Sequence, residues 1–96
     1  MSQINLDTAT TLTHEFQTNN PNATKAYYVS KTELLSILNQ SHCEGIRIYM
    51  GKTTSGDITL VLVGVNDSEA DMTSGVLLDE LITCPPYCDT NSPLNL

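Results

Sequence analysis

Three cysteines and one neighbouring histidine are the residues of this chain whose types could do chemistry. Cys43 directly follows His42, whereas Cys84 and Cys88 bracket the segment Pro85-Pro86-Tyr87. Thiolate and imidazole groups are typical ligands of structural zinc, so these four side chains form a candidate metal site. A nucleophilic Cys–His pair is the weaker interpretation, because neighbours in sequence on a loop seldom face each other and no third group orients the histidine.

The spacing of Cys84 and Cys88 bears on which of these chemistries is open. Two prolines favour a polyproline II path at about 3.1 Å per residue, which would place the two Cα atoms on the order of 12 Å apart. A disulfide tolerates at most about 7 Å, so only a turn, for instance through a cis Pro86, would allow one. Reduced thiols, a bound metal and a disulfide all remain open, and we expect Cys84 and Cys88 to be neither bridged nor metal-bound.

The acidic segment Asp67-Ser68-Glu69-Ala70-Asp71 has carboxylates at alternate positions, as calcium-binding loops do. Such loops also need glycine at the sixth position and glutamate at the twelfth, and the twelfth residue here is Leu78. The segment is therefore interpreted as a solvated turn.

Arg47 is the only arginine, and strand alternation places it on the same side as Tyr49. The pair could bind a carboxylate or phosphate ligand, but we expect Arg47 to pair with one of the chain's own acids. The sequence has no glycine-rich phosphate loop and no nucleophile elbow. It therefore predicts no catalytic residue and no cofactor. Whether the protein is an enzyme stays undecided at this point, and a protein without enzymatic activity is favoured.

Two helices are indicated by apolar periodicity and capping residues. A stripe of apolar side chains predicts a first helix over 4–20, with Asn5 as the N-cap and Pro21 after its end. Ser30-Lys31-Thr32-Glu33 matches a capping box, which predicts a second helix over 31–40.

Extended segments are indicated over 25–29, 46–50 and 58–65. The last two predict an antiparallel hairpin, and the apolar residues on both faces of 58–65 predict a central strand. Periodicity does not decide between strand and helix for 76–82, where we favour a strand. The tail from about residue 84 is expected to be irregular.

Together these elements predict an α+β fold, with two short helices packed on a small antiparallel sheet of three to four strands. The length of 96 residues is that of one domain, so we expect a single domain over 1–96. The periodic positions predict a common core of Leu12, Phe16, Leu34, Leu38, Ile46, Ile48, Leu60 and Leu62.

Charge is distributed unevenly along the chain. The net charge is -7, and all four basic residues lie between Lys25 and Lys52, so residues 53–96 carry seven acids and no base. Such a surface repels phosphate backbones and anionic lipid, and we expect neither nucleic acid nor membrane as a partner. The N-terminal segment has no signal-peptide pattern, which predicts a cytoplasmic protein with reduced thiols.

Four segments of the chain form a recognisable set: Gly45-Ile46-Arg47-Ile48-Tyr49, Leu62-Val63-Gly64-Val65, Asp71-Met72 and Cys84-Pro85-Pro86-Tyr87-Cys88. Taken together they resemble an uncharacterised family of small bacterial proteins. The resemblance extends from the helix containing Ala9 to Asn91, and it implies an intact domain from a bacterial cell with no assigned catalytic residue.

The function that these observations favour is a non-catalytic module that binds a protein partner or a second copy of itself. The alternative is a metal-binding or thiol-based protein that uses Cys43, Cys84 and Cys88, with His42 as a further metal ligand. The two hypotheses differ in what they require of the cysteines.

Overall fold

The computed structural model describes residues 2–96 and has two helices and two small antiparallel sheets, which confirms the α+β class. The chain forms two compact units: the first contains the residues up to Tyr27 together with Thr83–Leu96, and the second is Tyr28–Ile82. A single domain over 1–96 stays a prediction. In chain order the elements are α1 Leu6–Asn19, β1 Ala26–Tyr28, α2 Lys31–Leu38, β2 Cys43–Lys52, β3 Ile58–Asn66, β4 Leu77–Leu78 and β5 Ile82–Cys84.

Both helices begin where their capping residues predict. The Asn5 side chain accepts a hydrogen bond from the Thr8 N–H at 2.8 Å, and α1 starts at the next residue. Ser30 and Glu33 form a complete capping box at the start of α2. These side chains satisfy backbone N–H groups that have no partner within the helix, which fixes each N-terminus. Both helices end one or two residues before the predicted limits of 20 and 40.

The first unit ties its C-terminal tail to α1. The tail after β5 has neither helix nor strand, as predicted, yet it is held by specific hydrogen bonds. Gln17 is 6% exposed, and its amide donates to Leu94 O at 3.0 Å and accepts from Leu96 N at 2.7 Å. His14 Nε2 lies 2.8 Å from Pro93 O on the same helix face. An amide in this position can both donate and accept, so one buried side chain satisfies two backbone groups of the tail.

The second unit is built on the antiparallel pairing of β2 and β3. The register runs from Lys52 opposite Ile58 to Gly45 opposite Val65, and a bulge interrupts it between Cys43 and Gly45. This confirms the predicted hairpin. β4 pairs with the other side of β3, so the order β2-β3-β4 makes β3 the central strand, again as predicted. The segment 76–82 is therefore partly strand, since it supplies β4 and begins β5.

Helix α2 covers one face of this sheet at a single place. A Cβ atom added to Gly64 would lie 3.2 Å from Ile37 Cγ2 and 3.1 Å from Cys43 Sγ, so the helix lies close above this glycine. Strand alternation places Leu62 on the same face as Gly64. Ile37 is 0% exposed and Leu62 is 2% exposed, and they are the largest fully buried side chains among the described residues.

The predicted common core is largely wrong. Of its eight members Leu62 is buried, Leu34, Ile46 and Leu60 are half-buried, and Leu12, Phe16, Leu38 and Ile48 are exposed. The physical reason is the length of α2, because a helix of eight residues covers only the part of the sheet around Leu62. Leu12 and Phe16 belong to the first unit and so to a different set of neighbours.

Replacing Ile37 by alanine tests this assignment of the core. We expect Ile37→Ala to lower the free energy of unfolding by about 2–5 kcal/mol, because it removes a fully buried side chain and leaves a cavity. The matched control is Leu35→Ala on the same helix, where the side chain is exposed and the loss should be clearly smaller. Denaturant unfolding measures both, and equal losses would contradict the placement of Ile37 at the centre of the second unit.

Candidate interaction surface

Cys84 and Cys88, the first candidate site, are joined to each other by a disulfide bond. Their Cα atoms lie 4.8 Å apart and the two sulfurs are bonded, so the expectation of unbridged thiols about 12 Å apart is wrong. That estimate assumed trans peptide bonds before both prolines. The Cys84–Pro85 and Pro85–Pro86 bonds are both cis, and the chain turns back on itself between the two cysteines.

The remaining members of the proposed metal site have other partners. Cys43 is a half-buried free thiol whose Sγ donates to Gly45 O at 3.3 Å. His42 is exposed, and its Nδ1 lies 3.6 Å from Asp67 Oδ2. Within residues 2–96 no group of three or more His, Cys, Asp or Glu side chains could hold a metal ion. The geometry therefore gives no support to a zinc site made of Cys43, Cys84, Cys88 and His42.

A pocket of about 270 Å³ lies in the first unit and has the disulfide as part of its wall. Gln17 and Lys25 are two of its polar neighbours, and each already binds the tail. Lys25 Nζ donates to Asn95 Oδ1 at 2.9 Å and to Leu96 O at 3.0 Å. With these two groups engaged inside the protein, the pocket presents mainly apolar wall, and the other polar residues of its lining are Thr13, Asp89, Ser92 and Asn95.

Arg47 makes the internal ion pair that its sequence context predicted. It and Tyr49 lie on the face of β2 that points away from α2, and both donate to Asp71: Arg47 Nη1 to one carboxylate oxygen, and the Tyr49 hydroxyl to the other. Asp71 reaches them because it lies opposite Val65 in an antiparallel bridge beyond β3. Both carboxylate oxygens of Asp71 thus accept hydrogen bonds from side chains of β2.

The acidic turn delivers Asp71 to this position. The Asn66 side chain accepts hydrogen bonds from the Ser68 and Ala70 N–H groups at 2.9 and 3.0 Å, which closes the turn tightly. Asp67 and Glu69 remain exposed at its tip, as the prediction of a solvated turn implies. The turn therefore holds an ion pair and has no calcium-loop geometry.

The cluster shifts the titration of its three members. The hydrogen bond from Tyr49, together with the Arg47 charge, lowers the pKa of Asp71 below its ordinary value of 3.8. The same carboxylate raises the pKa of Tyr49 above 10.0 and raises the pKa of Arg47. Each shift favours the hydrogen-bonded charge state, with an anionic Asp71 between a neutral phenol and a guanidinium.

The helix-side face of β2 carries exposed apolar side chains. Ile46, Ile48 and Met50 lie opposite Gly64, Leu62 and Leu60, which places all six on the face that α2 covers. Ile46 is half-buried near the helix, but Ile48 is 57% exposed and Met50 is 71% exposed. Sequence periodicity assigned Ile48 to the core and could not show that the helix stops short of it.

The outer edge of β2 is also open. On β3, Gly64 O accepts from Met72 N and Asn66 N donates to Ala70 O, so the even-numbered residues of β3 direct their backbone groups away from β2. The odd-numbered residues of β3 therefore bind β2, and their partners are the odd-numbered residues of β2. The N–H and C=O groups of Ile46, Ile48 and Met50 point outward, where no strand of residues 2–96 is paired with them.

Comparisons with protein-family models, with curated proteins and with solved structures found no match. The resemblance to a family of small bacterial proteins therefore stays a prediction. No helix within residues 2–96 is long and apolar enough to cross a membrane.

Thiol counting tests the bridge between Cys84 and Cys88. In denaturant without reductant we expect one reactive thiol per chain, that of Cys43, and three after reduction. Intact mass should rise by the mass of two hydrogens on reduction. Three reactive thiols before reduction would contradict the disulfide, and a metal ion in stoichiometric amount in the same sample would revive the metal-binding hypothesis.

The Asp71 cluster predicts a pH dependence of stability with a defined sign. Since the pKa of Asp71 is lower in the folded chain, its contribution is present above pH 3.8 and is lost as the pH falls through the folded value. The pKa of Tyr49 is raised, so its contribution is present below pH 10.0 and is lost as the pH rises through the folded value.

We therefore expect Asp71→Asn to be less stable than the wild type at neutral pH and to approach it in acid. Urea unfolding across the acid range measures the difference, with Asp79→Asn as an exposed control that should run parallel to the wild type. A gap between Asp71→Asn and wild type that stays constant down to the lowest pH would show that the carboxylate is not ionised against Arg47 and Tyr49.

Proposed function

We propose that this chain is a non-catalytic protein-interaction module that binds its partner through β2. The observation that carries the proposal is the coincidence of two open features on one strand. The outward backbone groups of Ile46, Ile48 and Met50 offer hydrogen bonds to an added strand. The side chains of Ile48 and Met50 offer exposed apolar area beside them. Strand addition uses the backbone for affinity and alternate side chains for specificity.

The charge of the chain supports the choice of β2 over other surfaces. Residues 53–96 hold seven acids and no base, whereas β2 contains two bases and one acid. Arg47 is neutralised by Asp71, which leaves Glu44 and Lys52 near the two ends of the strand. An approaching protein therefore meets an almost neutral, apolar centre here. Nucleic acid and anionic membrane stay unfavoured partners on the same charge argument.

A thiol-based role is the second candidate, and one observation favours it. The Cys84–Cys88 bridge lines the pocket of the first unit, where a small thiol could approach it. This role would use the bridge formed by Cys84 and Cys88. The thiol count given above, repeated in a glutathione buffer of cytosolic ratio, separates a bridge that opens readily from a structural one.

The bridge also bears on where the protein acts. Structural disulfides persist mainly in oxidising compartments and are rare in the cytosol. The cytoplasmic location stays a prediction, and a disulfide that resists glutathione would weigh against it.

Photo-crosslinking in the cells that make the chain tests the proposed interaction. A photoreactive amino acid at Met50 should give covalent adducts with a protein, because this side chain is the most exposed on the apolar face of β2. The matched control is the same amino acid at Thr54, in the turn that follows β2, where adducts should be absent or different. Equal adduct patterns at the two positions, or none at Met50, would refute β2 as the binding strand.

A further inference from the structure

We propose that the partner bound by β2 is a second copy of this chain, paired antiparallel with β2 of the first about a twofold axis at Ile48. The inference rests on the function proposed above and names its partner. The two sheets would then join into one continuous sheet of six strands, with the two β2 strands at its centre.

The backbone of β2 fits this pairing without rearrangement. Ile48 lies in the middle of the regular part of the strand, and its N–H and C=O groups point to the open edge. In an antiparallel pair, two such residues opposite each other exchange both of their hydrogen bonds. Ile46 and Met50, with the same outward orientation, repeat the exchange on either side of the axis.

The side chains are self-complementary in this register. A twofold axis at Ile48 places Ile48 opposite its own copy, Ile46 opposite Met50, and Glu44 opposite Lys52. The apolar pairs lie on the helix-side face, where Ile48 and Met50 are otherwise exposed. The opposite charges of Glu44 and Lys52 meet at both ends of the paired region, and cross-strand pairs of these kinds stabilise antiparallel sheets.

Neighbouring registers lose this match. Moving the axis to Arg47 would place the two Arg47 side chains opposite each other and Glu44 opposite Met50. Moving it to Tyr49 would place Lys52 opposite Ile46. Moving the axis by two residues, to Met50, places Lys52 opposite Ile48 and shortens the overlap. Moving it to Ile46 places Glu44 opposite Ile48. Only the axis at Ile48 combines outward backbone groups, apolar pairs and opposite charges.

The position of α2 adds to the argument. A twofold axis perpendicular to the sheet keeps both helices on the same face, one on each side of the joined β2 strands. The face that each helix leaves open, at Ile48 and Met50, is then shared by two copies. A second copy thus brings apolar cross-strand neighbours to Ile48 and Met50, which the eight-residue helix leaves exposed.

The first experiment measures the mass of the full chain by sedimentation equilibrium from micromolar to millimolar concentration. We expect a monomer–dimer equilibrium, and Ile48→Lys should weaken the dimer by at least about 100-fold because two like charges would face each other across the axis. Leu77→Lys is the matched control, since it makes the same change at an exposed position on β4 and should leave the dimer unchanged. Far-ultraviolet circular dichroism checks that both variants fold.

Charge rescue makes the test specific for the axis. Ile48→Lys and Ile48→Asp should each be monomeric, and an equimolar mixture should form a heterodimer, an outcome that simple damage to folding would not give. Lys52→Glu alone should weaken the dimer, because it places two acids opposite each other at each end of the paired region. The double variant Glu44→Lys with Lys52→Glu restores opposite charges there and should restore dimerisation. These results together would establish the register about Ile48.

Three outcomes would overturn the inference: a wild-type monomer at every concentration, a dimer that Ile48→Lys leaves intact, or no heterodimer in the mixture. The crosslinking at Met50 distinguishes the failure of the dimer proposal from the failure of the proposed function. Adducts at Met50 with another protein, from a chain that stays monomeric, would overturn the second copy as partner and leave β2 as a binding strand. Absence of any adduct together with a monomeric mass would overturn both.

Discussion

The antiparallel register of β2 and β3 is the constraint on which the second unit depends. Side chains alternate between the two faces of a strand, so a shift of one residue would move every side chain of β2 to the other face. With Ile48 opposite Leu62, Ile46, Ile48 and Met50 point to the face that α2 partly covers, and Arg47 and Tyr49 point to the face that carries Asp71. The buried centre, the ion cluster and the open apolar face are all consequences of this one alignment.

Two contacts hold that register from opposite sides of the sheet. On one face Ile37 packs against the region of Gly64, where any side chain larger than hydrogen would meet the helix at 3.2 Å or less. On the other face Asp71 accepts hydrogen bonds from Arg47 and Tyr49, which the observed register places beside it. A slipped strand would lose the close packing and leave a carboxylate without its partners, which costs more than either loss alone.

Features of this fold that depend on neighbouring residues in the sequence could be predicted. Features that depend on how one helix or strand packs over another could not. Asn5 and Ser30 mark helix starts because a cap is a contact between residues three apart. The β2–β3 hairpin follows from alternation. The exposure of Ile48 depends on where α2 ends above the sheet, and no periodicity within β2 contains that information. The bridge between Cys84 and Cys88 depended on two proline isomers that composition does not specify.

The candidate site shows the same division. The pairing of Arg47 with an internal acid was predictable as a class, because a lone arginine in an acidic chain has many nearby carboxylates. That the acid is Asp71 follows from the turn closed by Asn66, which positions it opposite Val65. The open edge of β2 had no such signal. The sequence predicted strands over 46–50 and 76–82, whereas β2 has ten residues and the strand on the other side of β3 has two.

The two edges of this sheet differ in what they can join. β4 is only two residues long and runs directly into Asp79 and Glu80, so it offers a short edge with like charges beside it. β2 is long, but the bulge at Cys43–Gly45 and the charges of Glu44 and Lys52 limit the registers in which another strand can pair with it. Because a twofold pairing uses the β2 edge of both copies, the assembly closes at two chains, and the other strand edges within residues 2–96 are only two or three residues long, apart from β3, which is paired on both sides. The features that restrict aggregation through β2 are thus the same ones that make its pairing with a second copy specific.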